Sequence, residues 1–305
     1  MDVYWYSSTC EVVFKTMLSV FGNEKLRMDG NIMKIVCDSS GDLFDFEGAK
    51  YQTVPLKIIT KDMEYVDDAG LDVEGMVNTL LSYKGKSGTA CPGVGEWLEA
   101  FEDEELVYCV TISSNLSGSY NAACSAAQDY MNEHPGREVY IVDSLSAGPG
   151  LRLLVEKLAE LGQQGLSGKE IFEQITEYRK KTQVTFCLES LRNLANNGRV
   201  SQAAAMLSGI IGIRVVGKAT GGRLDVVDKV RGEKKALMNL FHLIKEEGYK
   251  GGKLIIGHCF NEEAAKRLLE LVRQEFAKAE VLISKTAGLC SFYAEKGGLI
   301  IGFEC

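Results

Sequence analysis

Two seven-residue runs, LVYCVTI (106–112) and EVYIVDS (138–144), constrain this chain most. Each is almost continuously apolar, the pattern of a strand buried on both faces of a parallel sheet. Between them, Tyr120, Cys124, Ala127 and Met131 recur at helical spacing, and the HPG of 134–136 ends the stripe. A strand, a crossover helix and a second strand in that order call for an open α/β sheet with right-handed connections. The same alternation predicts strands at 33–37 (MKIVC) and near 53–60 (within YQTVPLKIIT). It also predicts helices around the apolar positions 73, 76, 77, 80 and 81, and over 149–161.

The character changes near residue 180. GKEIFEQITEYRKKTQ (168–183) reads as a charged connecting helix. A strand, two short helices around NNGR (196–199) and a pair of strands meeting at Gly221-Gly222 follow, the glycine pair being a hairpin signal. Helices at 233–247 and 261–276 then alternate with strands at 253–260 and 280–285, and a strand at 299–304 ends the chain. We expect an N-terminal α/β domain over 33–180, with a mostly parallel Rossmann-like sheet, and a C-terminal α/β domain over 181–305; 305 residues suffice for two modest cores. Residues 1–32 read as an extension. Glu11 and Lys15 break their apolar stretch, no basic region precedes it, and Met33 is the expected native start. No apolar run approaches the ~20 residues of a membrane span.

Composition narrows the function. A net charge of −8 argues against a nucleic-acid partner, which favours a basic face. The nine cysteines form no C-x-x-C pair and sit mostly in apolar runs, as reduced thiols of a cytoplasmic protein do. Three scattered histidines predict no zinc site, and no cofactor is expected. The dinucleotide, P-loop and nucleophile-elbow patterns do not occur.

Chemistry concentrates in ISSNLSGSYNAA (112–123), where a buried strand gives way to a helix. Ser113, Ser114, Ser117, Gly118 and Ser119 fit two readings: plain helix capping, or an anion site made of hydroxyls and unpaired N–H groups. DSSGD (38–42), which contains Ser39, and DSLSAGPG (143–150) also follow strands. In a parallel sheet these turns share one edge with 113–119, which favours a pocket over separate caps. His258 closes another strand. It is a structural strand-end histidine or the base of a Ser114 hydrolase, although no acid is placed to orient it. A sugar-phosphate enzyme using the serine loop is a further alternative. Arg199, Arg214, Arg223 and Arg231 accompany the apolar run AAAMLSGIIGIRVV (203–216), read either as core or as a cavity wall.

MKIVCDSSGDL, ISSNLSGSYNAA, YIVDSLSAGPG, LRNLANNGRVSQAAAMLSGIIGIRVV and VRGEKKAL, in this order, resemble the DegV family of bacterial fatty-acid-binding proteins across 33–305. The resemblance implies a two-domain DegV-like fold. A long-chain fatty acid would lie in an apolar tunnel between the domains, without being chemically changed by this chain. Its carboxylate would be presented to a separate ATP-binding fatty acid kinase subunit, which makes acyl phosphate for phospholipid synthesis. By position, Thr89 and Ser114 would hold the carboxylate, the 113–119 loop would shape the site, and Arg199 would approach from the second domain. The sequence departs from the family at two points. TACPG (89–93) replaces a Thr-Ser-Gln-Pro-Ser turn, and Tyr293 falls where the family places a histidine. A phenol can donate one hydrogen bond but carries no positive charge. Each buried CH₂ would contribute ~0.8 kcal/mol, and the carboxylate would need donors to offset its desolvation.

Overall fold

Thirteen strands, β1 to β13, fall into three sheets in the computed structural model, which describes residues 33–102, 104–201 and 212–305. The first sheet contains β2 (Lys50–Val54), β1 (Lys34–Asp38), β6 (Leu106–Thr111) and β7 (Glu138–Asp143), in that order. Every neighbouring pair is parallel, so their carboxyl ends share one edge. The apolar runs produce this sheet as expected: β1 is buried along its whole length, and β6 from Val107 onward.

The second sheet has six strands. Its order is β10 (Arg223–Arg231), β9 (Ile213–Thr220), β8 (Thr182–Leu188), β13 (Leu299–Glu304), β11 (Lys253–His258) and β12 (Glu280–Lys285). Only β11 and β12 pair in parallel. The turn of the β9–β10 hairpin is Gly221-Gly222, as the sequence predicts. A third, antiparallel sheet of β4 (Glu64–Val66), β3 (Lys57–Thr60) and β5 (Ser87–Ala90) is small.

Nine described helices cover these sheets, and we number them in chain order. Helices α1 (Val73–Ser82), α2 (Val94–Phe101), α3 (Ser119–Glu133) and α4 (Pro149–Gly162) belong to the first half. Then come α5 (Gly168–Arg179), α6 (Arg192–Asn196), α7 (Glu233–Glu246), α8 (Glu262–Glu275) and α9 (Gly288–Ala294). Trp97 and Phe101 of α2 pack with Ala123, Ala126 and Tyr130 of α3 over the first sheet. Burying each large side chain contributes ~1.5–3 kcal/mol. Helices α7 and α8 cover one face of the second sheet through Leu237, Leu240, Leu268 and Val272.

The structure corrects the sequence reading in several places. The run at 53–60 is not one strand: Pro55 has no N–H for a ladder, so the chain breaks there and β2 and β3 join different sheets. The buried stripe of α3 is Ser119, Ala123, Ala126, Ala127 and Tyr130, rotated one residue from the predicted stripe. Alanines let α2 approach closely, which leaves the larger Tyr120, Cys124 and Met131 only half-buried. Strands β4 and β5 and helix α9 were not expected. The extension 1–32, the second helix beside NNGR and most of AAAMLSGIIG lie outside the described residues. Among the described residues no helix is long and apolar enough to cross a membrane.

Candidate functional site

Two aspartates at strand ends organise the edge where β1, β6 and β7 finish. Asp38, the last residue of β1, is fully buried. Its Oδ2 accepts from the Ile112 N–H at 2.9 Å and from the Ser119 hydroxyl at 2.7 Å, and its Oδ1 accepts from the Ser40 hydroxyl. Burial raises its pKa, and these hydrogen bonds oppose the rise. Asp143, which ends β7, takes the Ser114 and Leu145 N–H groups at 3.1 Å each. Parallel pairing brings both carboxylates beneath the serine loop.

The hydroxyls of 113–119 are therefore not equivalent. Ser113 donates to the Gly222 carbonyl at 2.7 Å, Ser119 is committed to Asp38, and the Ser117 oxygen accepts the Ser119 N–H at 3.3 Å. The half-buried Ser114 hydroxyl makes no hydrogen bond to the other described residues, which leaves it available to a ligand. Loop N–H groups are also occupied, those of Leu116 and Ser117 by the Ser113 carbonyl. Internal bracing thus accounts for most of the loop, and no side chain caps the start of α3.

The second half of the chain closes onto this loop. Asn115 Nδ2 donates to the Gly221 carbonyl at 2.9 Å, beside the Ser113–Gly222 bond. Arg199 Nε donates to the Leu116 carbonyl at 3.0 Å, and its guanidinium lies 5.9 Å from the centre of the Tyr293 ring. The Tyr293 phenol oxygen is 2.8 Å from Thr89 Oγ1. Thr89, on β5, Ser114, Arg199 and Tyr293, on α9, are each half-buried.

A cavity of about 670 Å³, its open mouth included, adjoins this group. Its floor is the face of the second sheet opposite α7 and α8, with Val184, Phe186, Leu188 and Ile300 prominent. Ile112 and Leu116 of the serine loop and Leu289 and Ala294 of α9 form the opposite wall. Arg199 and Tyr293 also line it, so an apolar space ends beside a guanidinium and a phenol.

Helix α9 carries Tyr293 and is pinned by two acids that sequence reasoning missed. Asp67 accepts from the Gly288 and Leu289 N–H groups at 2.7 and 3.0 Å, and Asp42 accepts from Ala287 N–H at 2.8 Å. Burial is the main cause that pushes Asp42 up to about 8 and Asp67 up to about 6. Ser39 supports this unit from beneath, accepting the Leu56 N–H at 2.9 Å and bonding Asp67. His258 stands apart. It is buried, its Nδ1 accepts from Asn261 N–H at 3.3 Å, and burial lowers its pKa. No hydrogen bond among the described residues joins it to Ser114. Nor do the described residues contain a His, Cys, Asp and Glu cluster that could hold a metal.

A family model described as "Uncharacterised protein, DegV family" matches residues 32–304. The chain belongs to the DegV family. A DegV domain-containing protein of Streptococcus pneumoniae (strain ATCC BAA-255 / R6) is 40% identical over 276 residues, which cover 89% of this chain and 98% of the relative. A crystal structure of a DegV family protein from Eubacterium eligens, loaded with heptadecanoic acid, superposes with a TM-score of 0.87 at 41% identity. The match covers 89% of this chain and 99% of that one. The Streptococcus pneumoniae Fatty Acid Kinase (Fak) B3 protein, loaded with linoleic acid, gives the same TM-score at 40% identity, over 90% and 99% of the two chains. The two-domain α/β architecture expected of a DegV protein is shared with both.

Proposed function

We propose that this DegV protein binds one long-chain fatty acid, with the acyl chain in the apolar cavity and the carboxylate at Thr89, Ser114, Arg199 and Tyr293. The observation that carries the reading is the apolar cavity that ends at the guanidinium of Arg199 and the Thr89–Tyr293 pair. Each enclosed CH₂ contributes ~0.8 kcal/mol, so a long chain supplies most of the affinity. The carboxylate loses water on entry and regains donors from the hydroxyls, the phenol and the arginine. Similar solved structures that hold heptadecanoic and linoleic acids support this ligand class.

The bound acid is then presented to an ATP-binding kinase subunit that forms the acyl phosphate. This chain supplies binding, and the partner supplies the phosphoryl-transfer groups. The similarity to a protein named as part of a fatty acid kinase supports that role. No observation favours the hydrolase alternative, since His258 is engaged with Asn261.

Native mass spectrometry of the purified protein should show the added mass of a C14–C18 acid, and solvent extraction should release it. Mixed with a fatty acid kinase subunit and ATP, the loaded protein should yield acyl phosphate, trapped as a hydroxamate. A protein that is empty as isolated and takes up no acid on titration contradicts the binding role. A loaded protein that supports no acyl phosphate contradicts the presenting role alone.

A further inference from the structure

Phe186 is buried on β8, between Val184 and Leu188 on the same strand face, and all three line the cavity floor. Its cross-strand neighbours are Ile300 on β13 and Gly217 on β9. The two flanks are unequal. A Cβ at position 217 would lie 2.3 Å from Phe186 Cζ and 2.6 Å from Cε2, closer than real contacts allow. The ring therefore lies down over the bare backbone of Gly217, away from Ile300. The same Cβ would lie 2.4 Å from the Asp225 carbonyl oxygen, so position 217 in this geometry has room for glycine alone.

We propose that Phe186, berthed over Gly217, sets the cross-section of the acyl cavity and selects fatty acids by the bulk of their chains. This inference rests on the fatty-acid reading above. An extended saturated chain needs a narrow channel and gains contacts along a flat aromatic floor. A chain bent by several cis double bonds needs the width that the ring occupies. A shorter side chain at 186 opens the floor over Gly217, and a larger one narrows it.

The test compares stearate with linolenate, two acids of equal carbon number, so the difference in affinity reports shape rather than chain length. Dissociation constants are measured for the full chain and for Phe186→Leu, Phe186→Ala and Phe186→Trp, with thermal melts of each to check folding. The linolenate-to-stearate ratio of dissociation constants should fall at least about fivefold in Phe186→Leu, and further in Phe186→Ala, because pocket shape discriminates on this scale. Phe186→Trp should move the ratio the other way. If Phe186→Ala does not fold, the milder Phe186→Leu decides. Equal weakening of both acids, or an unchanged ratio, would overturn the role of Phe186. A wild-type chain that takes up neither acid would instead overturn the fatty-acid reading beneath it.

Discussion

Thr89 and Tyr293, 204 residues apart in sequence, meet through a 2.8 Å contact between their side-chain oxygens. The contact joins β5 to α9 at the mouth of the apolar cavity. Burial raises the pKa of Tyr293, while the Thr89 bond and the Arg199 charge oppose the rise. The phenol is thus a neutral donor at physiological pH, and Arg199 is the cation. Tyr293→Phe should weaken fatty-acid binding by ~1.5–3 kcal/mol, the contribution of a hydrogen bond to a charged acceptor. Isothermal titration with oleate measures this; an unchanged affinity would remove Tyr293 from the head-group site.

Tyr293→His makes a sharper comparison. A histidine there would gain charge below its ordinary pKa of ~6.5, so binding by the variant should tighten as pH falls from 8 to 5.5. The wild-type phenol contributes no such slope. Identical pH profiles for the two proteins would mean that position 293 does not face the carboxylate.

The serines differ in what they support. Ser114→Ala should reduce oleate affinity and leave the melting temperature nearly unchanged, because its hydroxyl has no bond to the other described residues. Ser119→Ala removes a donor from the buried Asp38 carboxylate and should destabilise the fold by ~1–3 kcal/mol. Chemical denaturation and binding, measured on both variants, should separate the two roles. Equal stability losses would show that the loop acts as one structural unit.

Part of this site was legible in the sequence and part was not, for physical reasons. Continuous apolar runs fix β1, β6 and β7, and parallel pairing then puts 38–42, 113–119 and 143–150 on one edge. The division of labour among the serines depends on long-range partners. The Ser113 hydroxyl is taken by Gly222, and Asn115 by Gly221, over a hundred residues away. No local period encodes such a pairing. Helix α9 escaped notice because GLCSFYA is short, and its N-terminal N–H groups are satisfied by Asp42 and Asp67 from distant loops rather than by a cap in its own sequence. The resemblance to the DegV family points to Tyr293, and nothing in the sequence signals its bond to Thr89.

The Gly221-Gly222 turn offers an internal control. Both residues have positive φ, 54° and 78°, which disfavours any side chain. A Cβ at Gly221 would meet open space, whereas one at Gly222 would lie 2.3 Å from the Ser113 hydroxyl. Gly221→Ala should therefore lose only the backbone preference, about 1 kcal/mol. Gly222→Ala should lose more, because it also breaks the clasp between the hairpin and the serine loop. Thermal melts of the two variants give the order, and a Gly221→Ala that is the less stable would contradict the clasp.

Asp42 and Asp67 give the protein a pH dependence of definite sign. Both have folded-state pKa values raised above the ordinary 3.8, to about 8 and about 6. The folded state therefore binds protons that the unfolded chain has already released. The stability that each contributes is complete below pH ~4 and is lost as pH rises through its folded pKa. Between pH 4 and 6 both act, and between 6 and 8 Asp42 is the one of the two that still titrates. His258, lowered from 6.5 by burial, opposes this trend only below its ordinary pKa, so the window from 6.5 to 8 is free of its contribution. Unfolding free energy from urea titration should fall there by on the order of 1 kcal/mol per pH unit. Asp42→Asn keeps an oxygen to accept the Ala287 N–H and carries no titrating proton. Its stability should fall less steeply than the wild type's across that window and should exceed the wild type at pH 8.5. A variant with the same slope as the wild type would locate the titration elsewhere.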